Sequence, residues 1–339
     1  MTSRRLLTGV AVLSVATLTA CGGVAGDNSG GGDGAVDDFA NDPITLIIPR
    51  SAGGGYDSYG RGLVDILERH LPEGSTIVVE NQAGAAGRAA AATLAEADPD
   101  GHTLLLTDPE GLLAYQMVGE SSYDIREFTS FGTLAVRPSA LAVAGNSPYK
   151  TFDDFQEAVK SEQLTFATTG VGSPTFLDAV LALDAMGAKP PTVVPHEGSA
   201  EAITSVVRGD SDFMVFAFDT LADQIKAGDV NALVQFSEEP LDEIVPDVPM
   251  AADFGLEELD GVLASSLVLY GPPDMPSEVE ELLADAVQES IFSEEFAQWG
   301  KDASLLVTPL DREETQANID RRRKLYEANM DLLEEYVTL

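Results

Sequence analysis

The chain has 339 residues, of which 44% are apolar and 22% are charged, a composition typical of a folded protein with substantial cores. Its formal net charge of −38 produces a surface that repels nucleic acid, which excludes nucleic-acid binding as a function. The single cysteine, Cys21, lies near the N-terminus, so disulfides and thiol catalysis are excluded in the folded body.

The N-terminal residues predict export. Arg4 and Arg5 precede an apolar stretch too short for a comfortable membrane span, which indicates a signal peptide over residues 1–20. The stretch ends in LTAC, which resembles the lipobox of bacterial lipoproteins, in which Cys21 would carry the lipid. A plain signal peptide with an incidental cysteine is the alternative, and the export route can be general or twin-arginine. Residues 21–41 are rich in glycine and acid and are predicted to form a flexible tether.

Short apolar runs then alternate with stretches of helical spacing. ITLII, TIVVE and HTLLLT are predicted strands at residues 44–48, 76–80 and 102–107. Because each strand is followed by a helix-like stretch, the order predicts an α/β fold with a mainly parallel sheet.

A second series of the same kind follows. Thr151 and Ser173 are predicted helix N-caps, with Pro174 at the first helical position. The predicted strands are LTFATT, TVVP, DFMVFAF and LASSLVLY. The tail from Asp311 is a predicted charged helix, and the arginines at 321–323 are interpreted as its solvated face. The repetition predicts two domains, with the chain crossing between them more than once.

Two glycine-rich loops come at strand ends, where ligands of parallel α/β sheets bind. In the first loop, residues 51–57, glycines would let backbone N–H groups approach an anion beside a helix N-terminus. In the second loop, residues 168–173, hydroxyl groups add donors. Either loop alone could be a plain turn, with Asp57 as a helix cap, whereas the pair favours a shared cleft. The candidate ligand-binding residues are Ser51, Ala52, Gly53, Gly54, Gly55, Asp57, Thr168, Thr169, Gly170, Val171, Gly172 and Ser173.

Motifs for catalysis are weak. The first loop lacks the Lys–Ser/Thr pair of a P-loop and the G-x-G-x-x-G spacing of a dinucleotide site. His70 and His102 are interpreted as structural, whereas His196 ends a predicted strand and is a candidate ligand contact. No two histidines have metal-ligand spacing. We therefore predict no metal, no cofactor and no enzymatic activity.

Several motifs, in order and spacing, resemble the solute-binding proteins of tripartite tricarboxylate transporters, also called the Bug or TctC family. The resemblance runs from about Pro43 to Tyr326. The matching segments are AGGGYD at 52–57, VVENQAGAAG at 78–87, DPDGHTLLL at 98–106, ATTGVGS at 167–173, VPHEGSAEAI, RGDSDFM and VPDVPMAADFG.

The resemblance implies a two-lobed, type II-like periplasmic-binding-protein fold of the Venus-flytrap kind, with a mainly parallel sheet in each lobe. Lobe 1 is predicted from residues 42–142 and 267–310, lobe 2 from 143–266, and a C-terminal helix from 311–339. The implied ligand is a small organic carboxylate between the two loops, and Asp219 is added to the candidate ligand-binding residues.

Three departures from the family pattern affect the ligand. Arg50 and Ser51 replace a Phe–Pro pair, Gln82 replaces an arginine, and Glu197 replaces a lysine. Fewer cations fit a mono- or dicarboxylate, or a ligand with a cationic part near Glu197 or Asp219, better than a tricarboxylate. Arg50 can pair with a ligand carboxylate or point outward into the acidic surface.

The predicted function is that of a receptor lipid-anchored to the outer face of the cell membrane. It would capture a small organic acid and deliver it to the membrane permease subunits of a tripartite secondary transporter. One alternative is a ligand sensor for a signalling system. The other is an exported hydrolase that uses Asp57 or His196.

Overall fold

The computed structural model describes residues 39–242 and 244–337. The predicted signal peptide, the lipidation site Cys21 and most of the predicted tether lie outside these residues. The end of the tether does not: Phe39–Asn41 form a 3-10 turn, and Phe39 is only 2% exposed. Its ring centroid lies 4.6 Å from that of His102. Residues 39–41 are therefore attached to the folded body, because an aromatic side chain there joins the core, and the predicted tether boundary stays a prediction.

Nine strands form one hydrogen-bonded sheet in the described residues. Their order is β2-β1-β3-β9-β4-β7-β5-β6, with β8 also paired with β4. The strands are β1 (Ile44–Ile48), β2 (Ile77–Asn81), β3 (Thr103–Thr107), β4 (Thr129–Ala144), β5 (Thr165–Thr168), β6 (Thr192–Pro195), β7 (Phe213–Ala217), β8 (Val230–Gln235) and β9 (Ala264–Gly271).

The sheet divides into two halves at β4. In one half β1, β2 and β3 are parallel and β9 is antiparallel to β3; we call this half lobe 1. In the other half β5, β6 and β7 are parallel and β4 is antiparallel to β7 and β8; we call it lobe 2. Strand β4 pairs with β9 as far as Pro138 and with β7 from Ser139 onward. The chain therefore crosses from one lobe to the other at residues 138–139. The predicted lobe border at residue 142 lies close to this point and stays a prediction.

Strands β4 and β8 are not among the strands predicted from the sequence. Gly132 and Pro138 interrupt the pattern of β4, and proline supplies no N–H to a strand ladder. Pro138 lies where β4 changes partners, so the interruption coincides with the crossing point.

The described residues form eleven α-helices. They are α1 (Gly55–His70), α2 (Arg88–Ala95), α3 (Pro109–Met117), α4 (Phe152–Ser161), α5 (Pro174–Ala185), α6 (Ser199–Arg208), α7 (Phe218–Ala227), α8 (Ser277–Ile291), α9 (Glu294–Ala303), α10 (Arg312–Ala328) and α11 (Met330–Val337). Both predicted N-caps are confirmed. Thr151 caps α4 in a capping box with Asp154, and Ser173 caps α5.

The C-terminal segment joins the two lobes. The predicted single helix is interrupted at Asn329, between α10 and α11. Arg322 of α10 is 5% exposed, and its Nη1 lies 2.8 Å from a carboxylate oxygen of Asp178 on α5. It also donates to the carbonyl of Ala264 at the start of β9. The interpretation of residues 321–323 as a solvated face is therefore wrong for Arg322, which points inward to a buried partner.

No helix among the described residues is both long enough and apolar enough to cross a membrane.

Candidate functional site

A cleft of about 790 Å³ lies between the lobes. Its wall includes the first loop, residues 83–86, residues 195–201 and the starts of α5 and α7. The predicted ligand-binding residues on this wall are Ser51, Ala52, Gly53, Gly54, Gly55, Thr169, Gly170 and His196. The predicted residues that do not line it are Asp57, Thr168, Val171, Gly172, Ser173 and Asp219.

The first loop leaves the start of α1 open to the cleft. Gly54 is the N-cap, with an extended backbone (φ −86°, ψ 175°), and no side chain caps the first N–H groups of the helix. Gly54, Gly55 and Tyr56 line the wall. Unpaired N–H groups at a helix N-terminus carry partial positive charge and favour an anion. The start of α1 can therefore hold a carboxylate.

Asp57 shapes the first loop from behind this wall. Its Oδ2 accepts the Gly53 N–H at 2.9 Å, and both carboxylate oxygens lie 3.0 Å from Nε of Arg61. Asn81 donates to Oδ1 at 3.0 Å. Burial raises the pKa of Asp57, but these hydrogen bonds have the larger combined effect and hold that pKa below its ordinary value. Asp57 is therefore a positioning residue with engaged oxygens.

The second loop satisfies its own hydroxyl groups. The Oγ1 atom of Thr175 lies 2.9 Å from Oγ1 of Thr168 and 3.0 Å from Oγ1 of Thr169. It also lies 2.9 Å from Oγ of Ser173 and accepts the Thr169 N–H at 3.1 Å. The donors that the sequence suggested for a ligand are largely bonded to one another.

The helix that follows the second loop is closed at its N-terminus. Ser173 accepts from the N–H of Phe176, as an N-cap does, and its hydroxyl also lies 2.7 Å from the Gly170 carbonyl oxygen. Pro174, at the first helical position, has no N–H. The start of α5 thus offers fewer donors than the start of α1.

The second loop also packs against lobe 1. The hydroxyl of Tyr115, on α3, donates to the carbonyl of Val171 at 2.6 Å. Gly172 has φ +76°, and a Cβ there would lie 2.4 Å from the Tyr115 ring. Val171 and Gly172 face this tyrosine, which explains why they do not line the cleft.

A third loop, residues 195–201, supplies another open helix N-terminus. Gly198 is the N-cap of α6, with an extended backbone (φ −166°, ψ 169°) and no side-chain cap. Gly198, Ser199 and Ala200 line the cleft opposite the first loop's lobe. Sequence reasoning missed these three residues. The available signal was a predicted strand followed by one glycine and a helix, without a run of glycines.

His196 lies in this third loop and faces the cleft. Its backbone N–H donates to the Thr168 carbonyl at 2.9 Å, which ties the loop to β5. Its Nε2 is buried and has no hydrogen-bond partner among the described residues. Glu197, next to it, is exposed on the wall.

Arg137 of β4 forms part of the cleft floor, and sequence reasoning missed it. Its Nε and Nη2 hold the two carboxylate oxygens of Asp219 at 2.7–3.2 Å, and Nη2 lies 2.5 Å from Oγ1 of Thr220. Burial raises the pKa of Asp219, but the Arg137 charge and the hydrogen bonds to the carboxylate together outweigh it and leave that pKa below its ordinary value. The carboxylate of Asp219, which the sequence suggested as a ligand contact, is thus already paired with Arg137.

Arg50 takes neither of the two orientations considered from the sequence. Its Nη2 lies 2.6 Å from Oδ1 of Asp108, which is buried, and Tyr56 donates to the same oxygen at 2.8 Å. The guanidinium carbon lies 4.9 Å from the centre of the Tyr56 ring. Arg50 lines the cleft, but its charge is balanced by a residue of the protein.

Asp57 does not reach the cleft, and its oxygens are already bonded. No cluster of three or more His, Cys, Asp or Glu side chains in the described part of the chain could hold a metal ion. The cleft presents backbone N–H groups, small side chains, two arginines and the side chains of His196, Glu197 and Glu201.

Known proteins resemble this chain in sequence and in fold. The family described as "Tripartite tricarboxylate transporter family receptor" matches residues 61–324. A UPF0065 protein from the TAR-I ttuE-ttuC' intergenic region of Agrobacterium vitis is 31% identical over 260 residues, covering 76% of this chain and 73% of its own.

Two solved structures are similar over nearly their whole length. MatC from Rhodopseudomonas palustris, solved with bound malate, is 26% identical with a TM-score of 0.71, covering 87% of this chain and 98% of its own. The periplasmic binding protein BugD has a TM-score of 0.74 at 24% identity, covering 84% of this chain and 97% of its own. The predicted two-lobed α/β fold is confirmed.

Proposed function

The chain belongs to the tripartite tricarboxylate transporter receptor family, and from this premise we propose that it is an extracytoplasmic receptor that holds a small organic carboxylate in its cleft. One observation carries the proposal. Uncapped helix N-termini at Gly54 in lobe 1 and at Gly198 in lobe 2 reach the same cleft. Each supplies backbone N–H groups and a positive dipole end, which together suit a carboxylate.

The pair of N-termini favours an acid with two carboxylates. One carboxylate would lie at the start of α1 and the other at the start of α6, each with its own donors. Malate, which is bound in one of the similar structures, has this form. A tricarboxylate would place a third charge near the exposed Glu197, which is unfavourable.

A ligand with a cationic part at Asp219 loses its support in this structure. Asp219 is buried and already bears the bidentate Arg137 guanidinium at 2.7–3.2 Å. Its negative charge is therefore not available to a second cation. Glu197 remains the acid at which a cationic group would bind.

We also propose that Cys21 carries a lipid and that the closed receptor delivers its acid to the membrane permease subunits of a tripartite transporter. The sensor remains a rival with the same cleft, since sensing and transport both need closure over a ligand. The hydrolase alternative loses Asp57, which is bonded behind the wall, and keeps only His196, whose Nε2 has no partner among the described residues.

The test places a fixed carboxylate where the ligand carboxylate should lie. Gly54 has N-cap angles, and a Cβ added there would meet only the Ser51 carbonyl oxygen, at an ordinary 3.6 Å. Gly54→Asp should keep or slightly raise the melting temperature, because aspartate is a good N-cap. It should weaken binding of dicarboxylates at least tenfold, since its own charge takes the site.

Gly54→Asn is the matched control, equal in shape and equally good as a cap but neutral. Titration calorimetry on the mature protein with malate, glutarate and adipate compares the two variants. Much weaker binding by the aspartate variant alone supports the proposal. Equal affinities in both variants would reject a carboxylate at α1. Release of a chemically altered acid would favour the hydrolase.

A further inference from the structure

The floor of the cleft holds a guanidinium that is bonded on one edge only. Nε and Nη2 of Arg137 bond to Asp219 and Thr220, whereas Nη1 has no acceptor among the described residues. Nη1 keeps some exposure to solvent, although the side chain as a whole is only 4% exposed. The unused edge therefore borders the cleft, whose wall includes Arg137.

This edge lies beside the open start of α1. A methyl group built on Gly55 would be 3.7 Å from Nη2 and 4.0 Å from Nη1 of Arg137. An anion at the N-terminus of α1 would thus lie within reach of the same guanidinium. Charge-assisted hydrogen bonds from arginine to carboxylates are stronger than those between neutral groups.

The same residue stands at the crossing between the lobes. Arg137 pairs with Ser265 of β9 on the lobe 1 side, one residue before Pro138, where β4 changes partners. Asp219 lies in the first turn of α7 in lobe 2. Tyr59 of α1 lies 3.3 Å from Asp219 and donates to the Leu306 carbonyl at 2.5 Å.

We infer that Arg137 is a specificity-determining residue of the receptor, which donates from Nη1 to a carboxylate of the bound acid while Asp219 keeps the opposite edge. The inference rests on the proposed function and refines it: the ligand must carry an anionic oxygen at the cleft floor. Asp219 then shares the Arg137 guanidinium with the ligand, and its negative charge weakens the attraction between the guanidinium and the acid.

The inference predicts that one substitution raises the affinity for the acid instead of lowering it. Asp219→Asn removes a negative charge but keeps an oxygen at the Oδ1 position, which accepts from Nε and Nη2 of Arg137. Its amide group, at the Oδ2 position, gives up the bond from Nε but can donate to the Tyr59 hydroxyl, which already donates to Leu306. Affinity for malate, glutarate or adipate should rise by about tenfold, since the guanidinium charge is no longer balanced. A neutral diamide of the same acid should show no such gain.

Asp178→Asn is the matched control. Asp178 is equally buried and paired with an arginine, Arg322 at 2.8 Å, but neither residue lines the cleft. Titrations in about 1 M NaCl suppress long-range effects of net charge, because the Debye length falls to about 3 Å. Under these conditions the control should change affinity by less than about twofold.

A double variant covers the case in which Asp219→Asn does not fold. Arg137→Gln with Asp219→Asn replaces the ion pair by two neutral amides and should lose at least about tenfold in affinity for the acids. Unchanged or weaker binding by folded Asp219→Asn, or wild-type affinity in the double variant, would overturn the inference. If the wild type binds none of the three acids, the proposed function itself fails.

Discussion

The first and second loops are both rich in glycine but have different environments. The first loop has three glycines and the second has two, and each lies between a strand and a helix with hydroxyl side chains nearby. In the first, Gly54 leaves the start of α1 uncapped at the cleft. In the second, Ser173 caps α5 and Tyr115 holds Val171. A glycine loop is thus a ligand site only where its donors have no partner within the protein.

The lobe 2 counterpart of the first loop is the third loop. Gly198, like Gly54, is an N-cap without a side chain, and the residues after it line the cleft. The symmetry of the site therefore lies between α1 and α6, and α5 is the helix that supports the wall.

The largest expected effect tests whether packing against Tyr115 constrains the second loop. Gly172→Ala combines a φ of +76° with a Cβ 2.4 Å from the Tyr115 ring, so we expect a loss of roughly 2–5 kcal/mol in the free energy of unfolding. Gly187→Ala, at φ +65° with no neighbour within 4 Å, isolates the backbone strain and should cost about 1 kcal/mol. Urea unfolding measures both. Equal losses would show that the Tyr115 contact does not constrain the second loop.

The next effect is a dependence of stability on pH. Glu110 of α3 is 3% exposed; burial raises its pKa to about 7, although Arg322 opposes the shift and Asp108 adds to it. Its Oε1 accepts the Ser266 N–H at 3.0 Å, and its Oε2 has no partner among the described residues. The folded state therefore binds a proton more tightly than the unfolded state.

The direction in which stability changes with pH follows from the raised pKa of Glu110 in the folded state. The stabilisation from Glu110 is complete below the ordinary pKa of 4.5 and is lost as pH rises to about 7. Urea unfolding at pH 5, 6, 7 and 8 should show stability falling over this range, and Glu110→Gln should flatten the fall. Asp57→Asn is the contrast: the pKa of Asp57 is lowered, so its contribution disappears only in acid. An unchanged slope in Glu110→Gln would exclude Glu110 as the source.

The smallest expected effect tests the first loop alone. Asp57→Asn weakens the bonds to the Gly53 N–H and to Arg61, and should reduce the free energy of unfolding at pH 7 by about 1–2 kcal/mol. Carboxylate affinity should fall about tenfold, because the loop loses its fixed shape. Thr168→Val, which removes a hydroxyl of the second loop, should leave affinity nearly unchanged. The reverse ranking in affinity would place the ligand at the second loop.

Local sequence signals predicted much of the fold. β1 and β6 match their predicted apolar runs, and the caps at Thr151 and Ser173 are confirmed, because strands and caps depend on neighbouring residues. β4 was missed because Pro138 interrupts it, and inward-facing Arg322 was missed because its partner Asp178 is distant in sequence.

The site was harder to predict for the same reason. Glycine content identified the first loop correctly as part of the cleft wall, yet it could not show that Thr175 bonds to the hydroxyl groups of the second loop. Arg137 carries no local motif, and its role depends on Asp219 and on the fold around Pro138.

A crystal structure of the mature protein with the tightest-binding acid of the panel tests the central claim most directly. We expect carboxylate oxygens at about 2.7–3.2 Å from backbone nitrogens at the start of α1 and at the start of α6. An acid held instead by the hydroxyl groups of Thr168, Thr169 and Ser173, with only water at the N-termini after Gly54 and Gly198, would contradict the claim.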